Sequence, residues 1–109
     1  MTKTQFLVTT TNEIPGHKHF EILGIARGST VRSKNLVTDI GAGFKNLVGG
    51  EVKSYTDMAN QAREEAYNRM VNQAIEMGAN AIVGMRFSTS MIMQGASEMV
   101  AFGTAVLVK

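Results

Sequence analysis

"KNLVGGEVKSYTDM", Lys45 to Met58, decides how the middle of the chain is read. Two adjacent glycines, Gly49 and Gly50, stand just ahead of a long helical pattern. Such a pair has two physical readings. It can be a phosphate cradle, in which a strand feeds glycines and then a helix N-terminus. It can also be a break where one helix stops and another starts. Upstream, "NLVTDIGAGFKNLV" (Asn35 to Val48) places apolar residues at 36, 37, 40, 44, 47 and 48. Steps of three and four predict a helix there, not a strand. The chain has no GxxxxGK[ST], and in "GAGFKN" Asn46 stands where a third glycine would belong. The pair is therefore read as the stop of a first helix, N-capped by Asn35, with one of the two glycines at positive φ.

Downstream, Ser54 and Asp57 have the spacing of a capping box. From there Tyr55, Met58, Ala59, Ala62, Ala66, Met70, Ala74 and Met77 form one stripe. Arg63, Glu64, Asn68 and Asn72 lie opposite, and Gly78 stands where a C′ glycine ends a helix. The pattern predicts a second helix ~36 Å long, and the alanines of its stripe let it lie close on a sheet.

Strands are expected on both sides. "QFLVTTT" (Gln5 to Thr11) and "FEILGIARGSTV" (Phe20 to Val31) are rich in β-branched and apolar residues, with Pro15-Gly16 as a turn between them. "ANAIVGMRFSTSMIM" (Ala79 to Met93) and "EMVAFGTAVLVK" (Glu98 to Lys109) give the third and fourth strands, joined through "QGAS". The fold class predicted is α+β. It is a four-stranded antiparallel sheet with helices on one face, in the order β-β-α-α-β-β, as a single domain over 1–109. The last two strands are apolar on both parities, so the sheet face away from the helices is expected to be covered by another subunit.

Composition narrows the chemistry. The chain has 109 residues and no cysteine, which excludes disulfides, Cys-based zinc sites and thiol catalysis. Eleven basic and nine acidic residues give +2, too balanced to imply nucleic acid. No apolar run reaches the length of a membrane span and no signal-peptide pattern is present, so a cytoplasmic protein is expected.

The block "LVGG…Y…AREEA", then "GANAIVG" and the closing "GTAV", resembles the YbjQ-like family of small bacterial proteins, over nearly the whole chain. The family carries a heavy-metal-binding label and no established reaction. The resemblance implies a dodecin-like subunit and assembly as a ring, typically a pentamer. It supplies no catalytic residue. Relatives carry Asp where this chain has Ser88, and some where it has Asn80 or Arg86, which removes carboxylates suited to a hard metal.

Candidate metal ligands are His17 and His19, which alternate onto one face of an extended segment, and Met91 and Met93, which share a parity with Met85. The simpler reading makes the histidines exposed loop residues and the methionines, with Met70, Met77 and Met99, core filler. Glu64-Glu65 sit on a helix, where neighbours point apart, and read as a solvated face. Arg27, Arg32, Lys34, Lys45 and Lys53 lack an aromatic platform and are interrupted by Asp39 and Glu51. The function expected is a non-enzymatic, ring-forming homo-oligomer that acts as a binding or scaffold module, with no cofactor and no membrane or nucleic-acid partner. The alternatives are a metal-binding protein using Met and His, and an enzyme with an inter-subunit site.

Overall fold

Gly28 is the point where helix and sheet touch. A Cβ built on it would lie 2.3 Å from the Met70 amide nitrogen, 2.4 Å from the Ala66 carbonyl oxygen and 2.6 Å from Arg69 Cβ. The helix backbone thus rests directly on a strand backbone, which only glycine permits. The computed structural model describes residues 6–17, 19–32, 49–93 and 96–109. Its elements are β1 (Leu7–Val8), β2 (Phe20–Arg32), α1 (Gly49–Glu76), β3 (Ala81–Met93) and β4 (Ala96–Val108). The sheet order is β1-β3-β4-β2. β4 is antiparallel to both β2 and β3, while β1 runs parallel to β3.

α1 lays Ala62, Ala66, Met70 and Ala74, spaced every four residues, on Ala26, Ile82, Met85, Ala101 and Ala105. Small residues on both sides let the layers approach, and Met70 fills the gap they leave. Polar bonds fix the same approach. Thr30, buried in the strand, donates from Oγ1 to the Ala62 carbonyl at 3.2 Å. β2 is an edge strand, and two of its outward backbone groups are taken up by the helix. Arg27 N–H donates to Gln73 Oε1 at 2.6 Å, and Arg69 Nη1 donates to the Ser29 carbonyl at 2.6 Å. An edge occupied in this way is a poor template for further strand pairing.

The C-terminal stop of α1 matches the sequence reading. Gly78 has φ 92°, its N–H donates to the Ile75 carbonyl, and Ala79 N–H donates to the Ala74 carbonyl. These two bonds form a Schellman motif. The Pro15-Gly16 turn also forms, closed by His17 N–H to the Ile14 carbonyl at 3.0 Å with Gly16 at φ 86°.

Three expectations are corrected. First, the sheet is mixed, not antiparallel. Turn residues between two apolar runs suggested a hairpin, but β1 is only two residues long and pairs beside β3. The following segment stays on the β3 edge: Thr9 N–H donates to the Ile82 carbonyl, Met85 N–H to Thr9 and Gly84 N–H to Thr11. Gly84, at φ 64°, supplies the irregularity that turns those donors outward. Second, among the described residues there is one helix, in the order β-β-α-β-β; the helix expected over Asn35 to Val48 lies outside them. Third, α1 contains Gly49 and Gly50, so they are not a hinge and Ser54 is not an N-cap. Helix propagation along 28 residues outweighs a propensity penalty of about 1 kcal/mol per glycine.

Gly28→Ala is expected to cost about 3 kcal/mol or more, because the new methyl meets backbone that cannot rotate away. Asn72→Ala, on the exposed side of α1, is expected to change stability little. Chemical denaturation of the two variants checks the contrast.

Candidate ligand-binding site

The end of the sheet where α1 stops, β3 starts and β4 finishes is hollow. A cavity of about 600 Å³ opens there, between Phe6 and Leu7 of the N-terminal segment, Ile14 and His17 around the turn, and Ile75 near the helix end. Ala79, Asn80, Ala81, Val108 and Lys109 complete it. Its volume falls in the range of small-molecule sites, and its walls are mainly hydrocarbon.

Each wall has a local cause. The Schellman stop turns the chain from α1 straight into β3 and leaves Ile75 at the rim, 53% exposed. The Pro15-Gly16 turn folds Ile14 back over Ala81, Val83 and Val106, a second small core on the sheet face away from the helix. Asn80 closes the floor. Its Nδ2 donates to the Val108 carbonyl at 2.9 Å, and its Oδ1 accepts from Val108 N–H at 2.7 Å. That pair of bonds holds the end of β4 and fixes the orientation of the Asn80 amide. Among the described lining residues, the ionisable side chains are those of His17 and Lys109. Lys109 Nζ lies 3.9 Å from Glu21 Oε1, with both side chains more than half exposed.

The sequence candidates are distributed unevenly. His17 lines the cavity, and His19 is exposed outside its lining. Lys18 between them lies outside the described residues. Met91 and Met85 share the helix-side face of β3, but Met85 is buried whereas Met91 is 74% exposed. Met91 therefore does not fill the core. Met93 is in register with Ala96 at the end of the β3-β4 ladder. Met70 belongs to the core, with Met77 and Met99 packed against it, and Met99 Sδ accepts a bond from Thr89 Oγ1 at 3.2 Å. Among the described residues, no three of His, Asp and Glu come together. Glu65 pairs with Arg69 at 3.5 Å along the exposed helix side. Lys34 and Lys45 lie outside the described residues.

The cavity was not anticipated from sequence. Ile75 was its one signal, a large aliphatic one position off the Ala62–Ala74 stripe. No spacing rule connects it to Ile14, Asn80 and Lys109, which meet only through the sheet order.

These features define a small α+β domain whose sheet, among the described residues, carries one helix layer and ends in an apolar cavity. The sequence matches, over residues 6–109, the YbjQ family model described as "Putative heavy-metal-binding". The chain belongs to that family. It is 54% identical over 100 residues to a UPF0145 protein of Methanoculleus marisnigri, covering 92% of this chain and 94% of that one. It is 55% identical over 101 residues to a UPF0145 protein of Clostridium perfringens, covering 93% and 95%. A crystal structure from Pediococcus pentosaceus, of a DUF74-family protein of unknown function, superposes with a TM-score of 0.65 at 17% identity. It covers 95% of this chain and 98% of that one, a likeness of fold. Among the described residues, no helix is long and apolar enough to cross a membrane.

Asn80→Ala is expected to lower stability by ~1–2 kcal/mol, since it strands the Val108 N–H and carbonyl. Amide exchange at Val108 should accelerate more than at Ala101, in the middle of β4.

Proposed function

We propose that this protein is a non-enzymatic homo-oligomer that acts as a binding module, with the cavity at the sheet end as its ligand site. The observation that carries the assembly is the uncovered sheet face. Register places Ile25 beside Thr104, Arg27 beside Phe102 and Val31 beside Glu98, all pointing away from α1. Ile25 is 70% exposed and Val31 52%, and Phe102 and Ile22 are exposed with them. Among the described residues, Ile14 and its neighbours cover this face only near Val83 and Val106. Exposed Ile22, Ile25, Val31 and Phe102, interspersed with Arg27, Thr104 and Glu98, give this face the mixed apolar and polar character of a protein interface.

Shape supports the same reading. The radius of gyration is 17.4 Å, against ~13 Å for a compact chain of this length. Strands of 13 residues carry the β3-β4 hairpin well beyond the core, with Met91 and Ile92 exposed near its tip. A second copy is the partner that this surface fits, and a ring of five is the form that the family resemblance implies. A non-enzymatic role is supported by the cavity's side chains, among which, for the described residues, there is an imidazole and an ammonium but no Asp or Glu for acid–base work. We place the protein in the cytoplasm.

A second reading, metal binding through Met and His, is favoured by the family description. Protein purified without a His-tag is expected to carry no stoichiometric zinc or copper and to keep its assembly in chelator. Elemental analysis checks this, and about one metal per subunit, lost in a His17→Ala, His19→Ala double variant, would reverse the order of the two readings.

Ile25→Lys tests the assembly. In an isolated subunit the change sits on an exposed position and is harmless. In an oligomer it places a charge in an apolar interface. The variant is expected to keep its circular dichroism and to fall to a smaller mass in light scattering. Unchanged mass would remove this face from the interface.

A further inference from the structure

We propose that the cavity binds a small apolar carboxylic acid, with its hydrocarbon part against Leu7, Ile14, Ile75 and Val108 and its carboxylate at His17 and Lys109. The inference rests on the reading of the protein as a binding module and names the ligand class of that site.

The walls fix one half of the ligand. Aliphatic side chains from four separate parts of the chain converge on a space of about 600 Å³. An apolar body removes their surface from water, at roughly 25 cal/mol per Å². The polar groups fix the other half. The Asn80 amide is held in place by one bond at each of its ends to Val108, and its second N–H remains as a further donor. The His17 side chain has no hydrogen-bond partner among the described residues, and His17 and Lys109 line the same space. Lys109 brings a positive charge, and no acidic side chain is among the described lining residues. The Lys109 contact with Glu21 is long, at 3.9 Å, and lies in solvent, so water screens it. A carboxylate held against an apolar wall is less screened and competes well with it. An amine would meet like charge at Lys109, and a neutral alcohol would gain the walls without the charge.

The test titrates untagged wild-type protein with octanoate, octanol and octylamine by calorimetry. Octanoate is expected to bind about 10-fold more tightly than either of the others, the worth of one charge-assisted hydrogen bond. A His17→Ala, Lys109→Ala double variant should lose that advantage and keep its affinity for octanol. Ile75→Glu, on an exposed helix position, should abolish octanoate binding with unchanged circular dichroism. If octanol binds as well as octanoate and both are lost in Ile75→Glu, the acid class is wrong while the cavity remains a binding site. If none of the three binds, or Ile75→Glu changes nothing, the cavity is not the ligand site and the binding-module reading falls with it.

Discussion

The contact between the α1 backbone and Gly28 sets the rest of the architecture. It brings the helix near enough to β2 for alanines to serve as core residues and for Thr30 to reach the Ala62 carbonyl. It also places Gln73 and Arg69 over the β2 edge, where they bond the strand's outward N–H and C=O. A larger residue at 28 would lift the helix, and the alanine stripe would then face a gap. With the helix layer so close on one side, the cover on the opposite side of the sheet, among the described residues, is the short one provided by Ile14.

That asymmetry links fold to function. In its middle, at Arg27 and Ser29, the edge of β2 is already bonded by its own helix, which blunts strand pairing there. The exposed aliphatics lie on the sheet face instead. Surface available for association is thus a mixed one, with Ile22, Ile25, Val31 and Phe102 among polar neighbours, and the cavity sits at the other end of the sheet from the hairpin tip. Assembly through the face and ligand entry at the sheet end can therefore coexist.

Much of this was legible in the residues. The Ala62–Ala74 stripe, the Gly78 stop, the Pro15-Gly16 turn and the three long strands follow from periodicity and turn chemistry. The doubly apolar β4 pointed to an uncovered face, and its even-numbered positions do lie away from the helix. Two things were not legible. The parallel placement of β1 depends on backbone bonds from Thr9 and Thr11 to the β3 edge and on the conformation of Gly84, none of which leaves a periodic trace. The start of α1 at Gly49 and Gly50, five residues ahead of Ser54, runs against local propensity, which is weak beside the cooperativity of a long helix. The site was hardest to see, because Ile14, Ile75, Asn80 and Lys109 come from four segments that only the sheet order brings together.

The central claim is that the sheet face bearing Ile25, Val31 and Phe102 is covered by another copy of the chain. Small-angle scattering of the wild-type protein at micromolar concentration tests it most directly. The account predicts a scattering mass several times that of one chain and a radius of gyration well above the single-subunit 17.4 Å. A single-chain mass that persists as concentration rises would contradict it.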